Sequence, residues 1–274
     1  MIPAAFDYVR VGAADEAVAQ LVEHGDDAKL IAGGMSLIPL MKLRLAVPTV
    51  LVDVGRVSEL SYVREDGDEI AIGALTRHRD LETNDLLARQ CGVLGAVTAE
   101  VGDNQVRHRG TIGGSVAHGD PASDLPAVLL ALDATFVATG PAGRREIAAG
   151  SFFEGFLETA LAPDELLTEI RVPRTGANGF SYQKFNRRAQ DWAIVGALAV
   201  HAGGTTRVAL VNMGTTPLRA AGVEEAVAGG AGAAEAAARA AEGTEPSSDL
   251  NADSSYREHL ARVLVRRALE DAGA

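Results

Sequence analysis

The chain has 274 residues, 47% of them hydrophobic and 23% charged, which is the balance of a globular protein with length enough for two domains. Its formal charge of 25 − 37 = −12 argues against nucleic-acid or anionic-membrane partners, which are held by clustered Lys and Arg. The single cysteine, Cys91, excludes an internal disulfide and cannot alone hold an iron–sulfur cluster or a structural zinc. It reads as a small, partly buried apolar residue beside Gly92. The first residues carry neither a basic leader nor a long apolar run, and no stretch approaches the roughly 18 apolar residues of a membrane span. A cytoplasmic protein is expected.

In chain order, Ala17, Val18, Leu21 and Val22 predict an amphipathic helix over 15–24, ended by Gly25. Lys29 to Ala32 reads as a buried strand, Leu37 to Leu45 as a short helix or turn with Pro39 in its first turn, and Val50 to Val54 as a second strand. Together these make a small α/β unit. A hairpin follows, with Ser61 to Arg64 and Glu69 to Gly73 flanking Asp66-Gly67-Asp68. Arg79 to Ala88 and Gly92 to Val101 read as helices, the second leading into a basic turn at Arg107-His108-Arg109. Asp124 opens a helix to about Leu132, with Ser123 or Asp124 as N-cap. Thr135 to Thr139 and Arg144 to Ile147 pair around Gly140-Pro141-Ala142-Gly143, and Glu165 to Val172 is a strand stopped by Pro173. Thr175 to Gly179 is the best domain boundary. Beyond it, Phe180 to Asn186, Ile194 to His201 and Arg207 to Met213 suit a three-stranded antiparallel sheet. An Ala-rich helical stretch (222–242), interrupted at Gly229-Gly230, and a final helix over 254–272 complete the chain.

Two stretches stand apart. Thr111-Ile112-Gly113-Gly114-Ser115 places paired glycines between hydroxyl residues, followed by Asp120-Pro121-Ala122-Ser123-Asp124-Leu125-Pro126. Lys29-Leu30-Ile31-Ala32-Gly33-Gly34-Met35-Ser36 repeats the recipe. Paired glycines let a backbone approach a ligand with no Cβ in the way, and successive N–H groups can form an anion-binding nest. Two such loops suggest two clamps on one phosphate-bearing cofactor. Taken singly, each Gly-Gly is more often an ordinary turn.

The two loops in this order resemble those of the flavin-binding medium subunits of molybdenum hydroxylases, the carbon monoxide, xanthine and nicotine dehydrogenase-like enzymes. Arg187-Arg188 with Asp191-Trp192, and Tyr256-Arg257-x-His259-Leu260-Ala261 with Arg266-Arg267-Ala268-Leu269, extend the resemblance over nearly the whole chain. It implies an α+β fold: a two-subdomain FAD-binding domain over 1–175 (about 1–57 and 58–175), then a C-terminal domain over 176–274 with a three-stranded antiparallel sheet and helices. Lys29 to Ser36 and Thr111 to Ser115 would hold the pyrophosphate of FAD. Asp124 would meet the ribityl hydroxyls, Leu167 would lie against the isoalloxazine, Lys184 would reach its polar edge, and Asp191-Trp192 would flank it. Met35 departs from the polar residue of many relatives, which affects a side-chain contact but no backbone one. Asn251-Ala252-Asp253 departs from a commoner His-Ala-Ser.

By the same resemblance the chain takes electrons from the [2Fe–2S] clusters of a small subunit and passes them through FAD to an external acceptor. A large subunit carries the molybdenum cofactor, and the assembly is a dimer of heterotrimers. The alternatives are a stand-alone FAD oxidoreductase acting on a small molecule and a non-catalytic nucleotide-binding module. A nicotinamide-binding protein is disfavoured because neither loop completes G-x-G-x-x-G after a strand. No nucleophilic triad, HExxH or CxxC is present. His118 reads as a base or flavin attachment point or, with better odds, as a loop histidine bonded to its neighbours. Asp120 reads as a turn former.

Overall fold

The structure, a computed structural model, describes residues 1–176 and 179–274. Its first unit contains β1 (Asp7–Arg10), α1 (Ala14–His24), β2 (Ala28–Ile31), α2 (Leu37–Lys42) and β3 (Val50–Asp53). The three strands form a parallel sheet in the order β1-β3-β2. Ala17, Val18 and Leu21 of α1 are buried against it, with Asp15 and Glu16 at the helix N-terminus and His24 at its end, matching the helix dipole. Strand β1 has no counterpart among the elements expected from the sequence. Its residues are largely exposed, so it lacks the apolar signature of a strand and is defined by pairing with β3.

The second unit opens with the hairpin β4 (Val63–Asp66) and β5 (Glu69–Gly73) as expected. The helix expected over 79–88 is instead two, α3 (His78–Glu82) and α4 (Asp85–Gln90). Asn84 breaks it, because its side chain accepts from the N–H groups of Leu86 and Leu87 and caps the second helix. After α5 (Gly92–Ala99), the basic segment is a helix rather than a turn: α6 (Asn104–Arg109), capped by Asp103. The second glycine stretch is likewise helical, forming the start of α7 (Ile112–His118), and α8 (Asp124–Ala131) follows. Strands β6 (Thr135–Gly140) and β7 (Gly143–Ala148), an unforeseen small hairpin of β8 (Phe153–Gly155) and β9 (Glu158–Thr159), and β10 (Leu166–Pro173) complete the unit. Its antiparallel sheet runs β4-β5-β10-β6-β7.

The third unit contains β11 (Phe180–Phe185), β12 (Val195–Ala202), β13 (Thr205–Val211), β14 (Leu218–Arg219), α9 (Ala221–Ala228), α10 (Ala233–Ala237) and α11 (Ser254–Ala272). The sheet expected with three strands has a fourth, the two-residue β14 at its edge. Every residue of α8 is buried. It has no solvent face because it lies between α5 on one side and β12 and β13 on the other, while α11 covers the opposite face of that sheet. Leu198, Val200, Ala209 and Val211 therefore share one core with Ile70, Ile72 and Leu129, and the third unit is joined to the second through a continuous apolar layer. At the expected boundary, Gly176 is bound to the helical layer, with the Gly92 N–H on its carbonyl at 3.0 Å. Ala177 and Asn178 of that boundary lie outside the described residues.

Candidate cofactor site

The first glycine loop leaves the carboxyl end of β2 and bends back into α2. Gly34 makes the bend at φ +74°, where a Cβ would also lie 2.8 Å from Ile38 Cδ1. Among the described residues, the backbone N–H groups of Gly33, Gly34, Met35, Ser36 and Leu37 have no intramolecular acceptor. Gly34 (φ +74°) and Ser36 (φ −99°, ψ −47°) flank Met35 in this bend, a tight turn whose run of unbonded N–H groups is the raw material of an anion nest.

The second stretch behaves differently. Thr111 is the N-cap of α7, and its Oγ1 accepts from the Gly114 N–H at 3.1 Å. Ile112 N–H donates to Thr76 O, Gly113 N–H to Ala74 O and Ser115 N–H to Thr111 O. The nest expected here from the paired glycines is thus closed, since its donors are spent on the protein. Neither Gly113 nor Gly114 has positive φ. Gly113 is required for close approach: a Cβ would sit 2.5 Å from Ala74 Cβ. Gly114 and Ser115 are the parts that face solvent.

The two stretches meet. A Cβ on Gly33 would fall 2.3 Å from Arg109 O and 2.9 Å from Gly110 Cα, so the first loop rests directly on the backbone leading into the second. Between them opens a cleft of about 930 Å³. Lys29, Leu30, Ile31, Ala32, Gly33, Gly34, Met35 and Ser36 line it, as do Thr111, Gly113, Gly114, Ser115, Asp124, Leu167 and Lys184. Ile112 is the exception, with its side chain fully buried in the main apolar core and its N–H engaged. Trp192 and Asp191 stand at the cleft wall, with Trp192 55% exposed. His118, the last residue of α7 rather than a loop residue, also lines it, and burial holds its pKa below the ordinary 6.5. Asp120 is a turn former, with its Oδ1 accepting from Ala122 N–H at 2.8 Å.

A buried ion pair forms part of the cleft floor. Lys184 Nζ, on β11, donates to Asp124 Oδ2 at 2.8 Å and to Glu100 O at 2.9 Å. The Tyr182 hydroxyl donates to Asp124 Oδ1. Burial raises the Asp124 pKa above the usual carboxylate range, against the pull of Lys184 and Tyr182. These bonds tie α8 to the third unit's sheet, and they leave Lys184 one further proton to donate into the cleft.

His78 joins the cleft without having been expected there from the sequence. It begins α3, is 3% exposed and lines the cleft, with its Nε2 3.1 Å from Ser115 Oγ. The available signal was a lone histidine opening a short, mostly charged helix, which is no signal by itself. Cys91 is fully buried, and burial pushes its thiol up to about 11, so it is chemically quiet.

Residues 4–175 match the family described as the FAD binding domain in molybdopterin dehydrogenase. The chain belongs to that family. Residues 180–272 match the carbon monoxide dehydrogenase flavoprotein C-terminal domain. The chain is 42% identical over 284 residues to the carbon monoxide dehydrogenase medium chain of Hydrogenophaga pseudoflava, covering 100% of this chain and 99% of that one. It is 36% identical to subunit alpha of the 6-hydroxypseudooxynicotine dehydrogenase complex of Paenarthrobacter nicotinovorans, over 99% and 96% of the two chains. The solved carbon monoxide dehydrogenase of Hydrogenophaga pseudoflava lacking the Mo-pyranopterin moiety superposes with a TM-score of 0.96 at 43% identity, covering 100% of this chain and 99% of that one. The flavoprotein fold expected from the sequence is the fold observed, and the chain is an FAD-dependent oxidoreductase subunit. Among the described residues, no helix is long and apolar enough to cross a membrane.

Proposed function

We propose that this flavoprotein holds FAD in the cleft between its two glycine stretches and relays electrons from the [2Fe–2S] clusters of a small partner subunit to an external acceptor. A large subunit carries the molybdenum cofactor in this reading, with the heterotrimers paired as dimers. The observation that carries the cofactor site is the run of N–H groups from Gly33 to Leu37 with no acceptor among the described residues, on the wall of a cleft large enough for a dinucleotide. In a chain of net charge −12, a diphosphate needs local donors of this kind, each contributing about 1.5–3 kcal/mol when its acceptor is charged.

The first loop is the anion grip. The second supplies the Ser115 hydroxyl and, at Gly114, a surface without a side chain. Leu167 offers an apolar wall for a ring system, and Lys184 offers its remaining proton to a polar ring edge. Asp124 holds Lys184 in place, with its capacity to meet a hydroxyl resting on the lone pairs that Lys184 and Tyr182 leave. FAD, when bound, supplies the redox chemistry. In this reading the domains divide at about residue 175, which the extents of the two family matches, 4–175 and 180–272, support.

The test is an absorption spectrum of the purified chain before and after reconstitution, with the released cofactor identified. An FAD stoichiometry near one supports the reading, together with co-purification of iron–sulfur and molybdenum subunits. Absence of FAD even with the partners present would defeat it. Flavin reduction by a small substrate in the isolated chain would favour the stand-alone oxidoreductase instead.

A further inference from the structure

His78 is the buried titratable group at the cleft that the proposed function does not use. Its backbone N–H donates to Gly110 O at 3.0 Å, which anchors α3 under the second glycine stretch. The ring edge packs on Gly110, where a Cβ would lie 2.9 Å from both Cε1 and Nδ1. Nε2 stands 3.1 Å from Ser115 Oγ, and Nδ1 is buried with no hydrogen-bond partner among the described residues. The ring is neutral at physiological pH. Burial, with Arg107 and Arg77 nearby, outweighs the pull of the neighbouring Thr111 backbone, which forms no geometric hydrogen bond to the ring, and takes the His78 pKa down to about 4.

A neutral imidazole carries one N–H. Were it on Nδ1, a buried donor would be left without an acceptor, and orphaned N–H groups are the rarest and among the costliest of unsatisfied groups. On Nε2 it donates to Ser115 Oγ, and the orphan is only a lone pair. No carbonyl accepts from Ser115 Oγ among the described residues, so its own proton is free to turn outward into the cleft that Ser115 lines. We infer that His78 is a positioning residue: by donating from Nε2 to Ser115 Oγ, it aims the serine hydroxyl proton at an oxyanion of the bound dinucleotide. This assignment rests on the FAD reading and compensates for the closed nest of the second stretch, giving it one directed donor in place of several backbone ones.

The test uses the full chain and flavin-fluorescence titration with FAD, alongside 15N spectra of histidine-labelled protein without cofactor. The expected tautomer at His78 is Nε2–H. His78→Leu and Ser115→Ala should each weaken FAD binding about tenfold, as for loss of one charge-assisted hydrogen bond, and the double variant should lose no more than either alone. His78→Gln, which can place an amide N–H near the Nε2 position, should recover most of the affinity, and it keeps the test open where the leucine variant fails to fold. An Nδ1–H tautomer, or losses that add independently, would overturn the inference. If the wild-type chain fails to bind FAD, the cofactor reading fails first, and the tautomer then judges the His78–Ser115 geometry by itself.

Discussion

The two glycine stretches look alike in sequence and do opposite things. In the first, a positive-φ glycine and an irregular turn leave five successive N–H groups, all on cleft-lining residues, without an acceptor among the described residues. In the second, the glycines lie in a helical turn, and the N–H groups from Ile112 to Ser115 all find acceptors in the protein. In the proposed reading the first is the ligand grip, and the second is a buttress that lets α7 sit against Ala74. A Gly-Gly pair records only that a side chain is not wanted. The reason, torsion in one place and crowding in the other, belongs to the surroundings.

The largest effect is expected at the floor of the cleft that both stretches line. Lys184→Met leaves the Asp124 carboxylate buried with only Tyr182, and should cost about 3–5 kcal/mol in urea unfolding at pH 7. The loss should shrink at low pH, because the already raised pKa of Asp124 rises further and the carboxyl takes up a proton. A loss below about 1 kcal/mol would mean that the pair behaves as a surface one and that the floor is not structural.

Next in size is Gly33→Ala. Its Cβ would collide with Arg109 O, a backbone atom that cannot swing aside, so the loops must part. Overpacking of this kind costs about 1–3 kcal/mol, and FAD affinity should fall more than tenfold by equilibrium titration. Gly113→Ala should lower the melting temperature comparably through Ala74, with a smaller effect on FAD affinity than Gly33→Ala. Equal losses of affinity would erase the distinction between grip and buttress.

His78 sets a pH window. Its folded pKa of about 4 lies below the ordinary 6.5, so the unfolded chain binds the extra proton between those values and stability rises with pH across them. Going from pH 7 to pH 5 should cost about 2 kcal/mol through this residue. The measurement is the difference between wild type and His78→Leu in unfolding free energy at the two pH values. A pH-independent difference would show that His78 keeps its ordinary pKa. The smallest effect is expected from Thr111→Ala, which removes the α7 cap for about 1 kcal/mol. An accompanying large loss of FAD affinity would return the second stretch to a direct binding role.

Much of the molecule is legible from periodicity. Helix α11, the hairpin at Asp66-Gly67-Asp68 and strand β10 follow from local pattern: a stripe of apolar residues at helical spacing, a glycine turn between paired segments, and an apolar run stopped by Pro173. Where local pattern is ambiguous, tertiary contacts decide. Strand β1 exists through its pairing with β3, and Asn84 splits a helix that apolar spacing alone would continue. The residues chosen for the site converge on one cleft, apart from Ile112, whose side chain was needed by the core.

By itself the sequence determined the family, the order of the elements and which short stretches avoid side chains, since these are properties of residue types and spacing. Only the tertiary structure decided which glycine stretch keeps its N–H groups free, that Gly33 rests on Arg109, and that His78 reaches Ser115. Each of those depends on which atoms from distant segments are within about 3 Å, and hydrogen bonds and steric contacts at that range are made between segments that share no local pattern.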